Sequence, residues 1–172
     1  MTNVTTFYAL KVASPLGMLQ LVSDANYLVE LNWQGAHKRV NSAAKPAAAI
    51  LVAAANELSQ FFDGERRHFS VPVDPRGTDF QLSVWSELQN VAWGTTCTYG
   101  DIAKRLGKPT GSRAVGSAVG RNPLPIFIPC HRVVGSNGSL TGFSGGLQNK
   151  GILLGCEGHT NRPGGLMHLD RE

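Results

Sequence analysis

From residue 6 to residue 33, apolar positions alternate with polar ones, in "MLQLVS" and again in "YLVELNW". A period of two belongs to half-buried strands. "SPLG" and "SDAN" supply turn residues between the runs. Residues 35–47 are polar and alanine-rich and read as a loop. The period then changes. Over 47–63, Ile50, Leu51, Ala54, Leu58, Phe61 and Phe62 share one helical face, and Gly64 supplies a stop. "HFSVPV" reads as a short strand. "DPRG", residues 74–77, reads as a turn and as the boundary between two domains.

A second helical stripe follows, made by Phe80, Val84, Trp85, Leu88 and Val91. Thr78 and Gln81 have the spacing of a capping box at its start. Thr98 and Asp101 repeat that spacing before Tyr99, Ile102, Ala103 and Leu106, and Gly107 closes this helix. "KPTG" is a turn, Ser112 reads as the next cap, and "RAVGSAVGRN" runs to a stop at Pro123. Helix, short turn, helix is the helix-turn-helix shape. "IFIPCHRVV" reads as a buried strand or extended run and "GSNGSLTGFSGG" as a glycine-rich loop. "GLQNKGILLGCEG" reads as a last helix, in which Gly151 costs about 1 kcal/mol relative to alanine. Residues 159–172 lack periodicity and read as a frayed tail. The expected fold class is α/β in the α+β sense. A strand-rich N-terminal domain with one helix, residues 1–75, precedes a mostly helical domain, residues 79–158, that contains the helix-turn-helix.

Charge adds a location to this pattern. Between Thr98 and Arg132 there are six Lys or Arg and one acid, Asp101. A local excess of positive charge suits an anionic partner. Within the second helix of the pair, Ala114, Gly116, Ser117, Ala118 and Gly120 are all small. Either another helix packs closely on them, or the face lies against DNA with Arg113 at its first turn; the composition leaves both open. No apolar run approaches the roughly 20 residues of a membrane span. The N-terminus has no secretory pattern. Three cysteines, far apart and without a CxxC pair, argue against a disulfide framework or a zinc site, and a cytoplasmic location is expected.

One cysteine, Cys130, stands beside a histidine in "FIPCHRVV". It can be a packed core residue, a metal ligand with too few companions, or a nucleophile. As a nucleophile it needs a lowered pKa and a base within reach. On an extended strand His131 would point to the opposite face, so contact needs a bend or a bridging water. Arg132 adds positive potential.

"IPCHRVV", with "TDFQLSVW", "TYGDIAKRLG", "SRAVGSAVGRN", "GSLTGFSGG" and "K..LL..EG" in that order, resembles the O6-alkylguanine-DNA alkyltransferase family. The resemblance covers roughly residues 78–158, and "SPLGML" fits the family's variable first domain. It implies direct-reversal DNA repair. An alkyl group passes from O6-alkylguanine in duplex DNA, with O4-alkylthymine as a further candidate, to Cys130, and the protein is consumed in one turnover. It implies a DNA-binding surface of Arg113, Ala114, Gly116 and Ser117 in the minor groove, with Arg113 holding the place of a flipped nucleotide. His131 would be a water-mediated base oriented by Glu157. Tyr99 would donate toward guanine N3, and Asn122 would tie the helix pair to the cysteine segment. Ser144 would contact the guanine oxygen, and the Cys130 and Val133 carbonyls would accept from the exocyclic amine. No cofactor, metal or membrane is implied, and a monomer is expected.

Taken singly, these residues have plainer readings. Tyr99 can pack with Ile102, Glu157 can be a solvated helix-end carboxylate, and Asn122 can merely end a helix before Pro123. Two positions depart from the family pattern. Gly151-Ile152 stands where Glu-Trp is common, which bears on how firmly Glu157 is placed, and Phe143 stands where tyrosine is common. Relatives that bind lesions without repair lack the cysteine, which this chain has. A pure DNA-binding module and a thiol hydrolase are the competing functions.

Overall fold

The computed structural model describes residues 6–36, 49–162 and 166–169, and the chain divides into two compact units, 1–76 and 77–172. Most of the loop expected over 35–47 lies outside the described residues.

In the first unit, β1 (Tyr8–Ser14), β2 (Gly17–Ser23) and β3 (Leu28–Asn32) form an antiparallel meander in that order. Ser14 pairs with Gly17 across the first turn, and the β2–β3 register slips between Val22 and Ser23. Helix α1 (Ala49–Phe62) packs on this sheet and buries Leu51, Ala54, Leu58 and Phe61 against Leu19, Leu21, Leu28 and Leu31. Burying a side chain of this kind stabilises by about 1.5–3 kcal/mol. Gly64 ends the helix at φ 75°, a conformation costly for other residues.

"HFSVPV" is not a strand. It makes one parallel bridge, Val73 with Leu28. Glu57 explains why. Its carboxylate accepts from the Ser70 and Val71 amides and from the Ser70 hydroxyl, so a side chain takes the donors that a ladder would use. Pro72 has no amide to offer. "DPRG" has no turn; the backbone runs open there, and the unit boundary follows Arg76.

The second unit begins with α2 (Asp79–Gln89), whose capping box between Thr78 and Gln81 is complete. A Cβ at Gly77 would lie 2.6 Å from the Trp85 ring, so only glycine fits there. Then follow β4 (Cys97–Thr98), α3 (Tyr99–Arg105), α4 (Ser112–Gly120), a 3-10 turn at Cys130–Arg132, β5 (Val133–Val134) and α5 (Leu147–Cys156). Thr98 and Asp101 form the second capping box. Ser112 is not a cap. Gly111 holds that place without a side-chain hydrogen bond, and Ser112 is already helical. Helix α4 packs on α2 and α3 through Val115, Ala118 and Val119, and the Trp85 indole donates to the Ala118 carbonyl at 2.9 Å.

Residues 126–134 are buried as expected, but they are not a strand. Ile126 has φ 76°, Ile128 makes a single bridge with Pro125, Cys130–Arg132 turn in 3-10 form, and Val133 and Val134 pair in parallel with Cys97 and Thr98. A β-branched residue at positive φ costs about 1–3 kcal/mol, and the all-apolar run gave no sign of it. Where the sequence suggested a frayed tail, His159–Arg162 (β6) pairs antiparallel with Leu166–Leu169 (β7). Four residues per strand are too few to show a period.

Candidate active site

The bend that His131 needs is the 3-10 turn. Pro129 enters it at φ −78°, ψ 63°, and its carbonyl accepts from the Arg132 amide at 3.1 Å. Three consecutive residues then turn inward together, and Cys130, His131 and Arg132 are all buried. An extended backbone would have sent one of them outward.

Glu157 closes the site from the C-cap of α5. Its Oε1 lies 2.7 Å from His131 Nε2, and Arg132 grips both carboxylate oxygens through Nε and Nη2 at 2.9–3.0 Å. The Gly94 amide donates to Oε2 at 3.0 Å. The side chain is fully buried. Burial pushes the Glu157 carboxyl up, but the hydrogen bonds and charges of His131 and Arg132 overcome it and bring the pKa down to about 2. Glu157 is therefore a carboxylate, an acceptor only. Its contact with Nε2 requires a proton on that nitrogen. Burial pushes the His131 pKa down, against the opposing pull of Glu157. A neutral imidazole protonated at Nε2 has its basic lone pair on Nδ1.

Cys130 differs from the sequence expectation in one respect. Burial pushes its thiol up to about 11, opposed first by a hydrogen bond from the Asn122 side chain and then by the charge of Lys150. The resting thiol is protonated, and a base must take its proton for it to react. Asn122 is anchored for its part: Nδ2 donates to the Ile128 carbonyl at 2.9 Å, and Oδ1 accepts from the Leu124 amide at 3.0 Å. It thus joins the end of α4 to the segment entering the cysteine turn.

The other expected residues sit as follows. Tyr99, at the start of α3, points its hydroxyl to the Thr141 and Gly142 carbonyls at 3.3 and 3.5 Å. Ser144 is exposed on the glycine-rich loop. Val133 is buried, and its carbonyl accepts from the Lys150 ammonium; the Cys130 carbonyl accepts from the Val133 amide. Each carbonyl keeps a second lone pair. On α4, Arg113, Ala114 and Ser117 are exposed with Ser112 and Gly120, whereas Val115, Ala118 and Val119 face inward. Helix packing therefore accounts for Ala118 alone among the small residues of the outer turns. Gly116 lies between the two faces, where a Cβ would touch the Tyr99 ring at 3.6 Å. Among the described residues, no group of three or more His, Cys, Asp and Glu is placed to hold a metal ion. No helix among them is long and apolar enough to cross a membrane.

Two family models match the two units in turn: the 6-O-methylguanine DNA methyltransferase ribonuclease-like domain over residues 4–75, and the DNA binding domain of the same family over residues 79–159. A methylated-DNA–protein-cysteine methyltransferase of Methanosarcina acetivorans is 42% identical over 154 residues, which cover 88% of this chain and 98% of that protein. The chain belongs to the 6-O-methylguanine DNA methyltransferase family. The inducible methylated-DNA–protein-cysteine methyltransferase of Bacillus subtilis is 44% identical over 152 residues, covering 85% and 82% of the two chains. Among solved structures, Mycobacterium tuberculosis O6-methylguanine methyltransferase matches with a TM-score of 0.80 at 38% identity, over 88% of this chain and 93% of that one. Mycobacterium tuberculosis OGT in complex with DNA matches with a TM-score of 0.77 at 39% identity, over 86% and 90%.

Against the family pattern, Gly151 does not break α5, which runs unbroken from Leu147 to Cys156. Glu157 is fixed by its own donors, so the weak helix former behind it matters less than its sequence suggests. Phe143 is half-buried in the loop. Two residues carry more of the site than their sequence context shows. Arg132 does not only add potential: it grips Glu157. Lys150 is fully buried; its one signal was its place in "K..LL..EG".

Proposed function

We propose that this protein repairs O6-alkylguanine in duplex DNA by transferring the alkyl group irreversibly to Cys130. What supports this reading above all is the buried set Cys130, His131 and Glu157, on one turn and one helix end. Glu157 holds the proton of His131 on Nε2, so Nδ1 receives the thiol proton through a water. The sulfur attacks the alkyl carbon, a new C–S bond forms, and the C–O6 bond breaks with its electron pair left on guanine. Tyr99 donates its hydroxyl proton toward N3 of the leaving base, for which it leaves its long bonds to Thr141 and Gly142. Ser144 contacts the guanine oxygen, and the Cys130 and Val133 carbonyls accept from the exocyclic amine with their remaining lone pairs. The product is a thioether, which no ordinary side chain cleaves, so one chain repairs one lesion.

DNA binds by its minor groove to the exposed face of α4. Ala114, Gly116 and Ser117 let the backbone approach, and Arg113 holds the place of the nucleotide flipped into the pocket. The protein acts as a monomer in the cytoplasm without a cofactor. O4-alkylthymine is the second substrate to assay.

One observation favours another reading, a module that binds the lesion without transfer: Cys130 is buried, which disfavours its thiolate. A time course of repaired guanine with excess methylated duplex separates the readings. The transferase gives a burst equal to the protein and then nothing. Continued turnover indicates a hydrolase, and no burst indicates the binding module.

A further inference from the structure

Among the described residues, no carboxylate pairs with the Lys150 ammonium. The side chain is fully buried on α5, and its ammonium donates to two backbone carbonyls, Val133 just past the cysteine turn and Thr141 in the glycine-rich loop, the latter at 2.7 Å. Nearby, Glu157 is matched by Arg132, and among the described residues the buried positive charge left over is that of Lys150. Two groups act on Lys150 in the anionic sense, Cys130 and Cys97, and His131 feels its charge. Burial pushes the Lys150 pKa down to about 8, as expected of an ammonium whose counter-ion is missing at rest. Cys97 is a poor counter-ion. Its own thiol is pushed up to about 11 by burial, and no histidine acts on it. Cys130 has His131 beside it to take its proton.

We propose that Lys150 is a positioning residue for the transfer: it ties the glycine-rich loop to the cysteine turn and supplies the buried positive charge against which the Cys130 thiolate forms. This rests on the transferase reading. When the thiol proton passes to His131, the new imidazolium meets Glu157 and the new thiolate meets Lys150. Each charge created is then met by one already in place. The same ammonium holds the Thr141 carbonyl, to which Tyr99 also bonds, so the loop bearing Ser144 is fixed to the wall that bears the sulfur.

The test uses Lys150→Gln, which keeps an amide donor and loses the charge, and Lys150→Met, which loses both. Alkylation of Cys130 by iodoacetamide is followed by peptide mass across neutral and alkaline pH, without DNA, beside methyl transfer from methylated duplex. In Lys150→Gln the alkylation rate at neutral pH, where the wild-type lysine is charged, falls about tenfold, and the two profiles converge above the Lys150 pKa of about 8. Lys150→Met shows the same fall, and its methyl transfer falls further than its alkylation, because the loop is untied. Superimposable alkylation profiles for wild type and Lys150→Gln would overturn the inference. Should both variants lose their far-UV circular dichroism, the alkylation of wild type is followed instead as pH rises through the Lys150 pKa of about 8. There the rate climbs less than tenfold per pH unit, because the charge that favours the thiolate is being lost; a tenfold climb per unit throughout overturns the proposal. A wild type that alkylates with the expected profile but transfers no methyl group would defeat the transferase reading, not the coupling.

Discussion

Each unit of this protein buries a glutamate, and the two are used differently. Glu57, on α1, accepts from the Ser70 and Val71 backbone amides and the Ser70 hydroxyl, with Arg66 3.6 Å away. These groups have fixed protonation, so Glu57 fastens a segment and does nothing else. Glu157 also accepts a backbone amide, from Gly94, and a guanidinium, from Arg132. Its third partner is an imidazole next to a thiol. One titratable partner turns a fastening into a device for moving a proton. A buried, saturated carboxylate is thus weak grounds for chemistry until its partners are named.

The comparison is broken most severely at Cys130. Cys130→Ser should abolish transfer and leave binding to methylated duplex intact, as read by a mobility shift. The glutamates come next. Glu157→Gln should slow transfer by about 10²–10⁴ and, by leaving Arg132 unpaired, lower unfolding free energy by about 3–5 kcal/mol. Glu57→Gln should cost about 1–3 kcal/mol in a denaturant melt and leave the transfer rate unchanged. If both glutamine variants lose transfer equally after correction for folding, the distinction fails.

Acid sharpens it. The folded pKa of Glu157 is depressed from 4.5 to about 2, so its stabilisation is present above 4.5 and is lost as pH falls through about 2. The melting temperature of wild type should fall over that window, and that of Glu157→Gln should fall less. Smallest is the effect on the outer face of α4. Arg113→Ala should weaken binding to lesion-bearing duplex by about tenfold without changing iodoacetamide alkylation of Cys130, because Arg113 is exposed on α4 whereas Cys130 is buried in its own turn.

Much of this was legible in the sequence where local rules suffice. The capping boxes at Thr78 and Thr98 are local hydrogen-bond patterns, and both formed as spaced. The buried faces of α1 and α2 followed their periods. Ser112 misled because a serine before a helix looks like a cap, whereas the Gly111 amide closes on Lys108 and the helix starts one residue earlier. "IFIPCHRVV" misled because an apolar run has no period, so a strand and a buried turn look alike. Glu157 and Lys150 were visible as letters, but their partners lie at Gly94, Arg132, Val133 and Thr141, distant in sequence or across a turn. The motif order pointed to the family. The charge balance around the thiol could be read only in three dimensions.

The central claim is that Cys130 itself receives the alkyl group. Intact-protein mass after mixing with excess duplex carrying one O6-methylguanine, followed by peptide mapping, tests it most directly. The account predicts a gain of one methylene unit, saturating at one per chain and located on Cys130. Tight binding with unchanged mass, or a methyl group on any other residue, would contradict it.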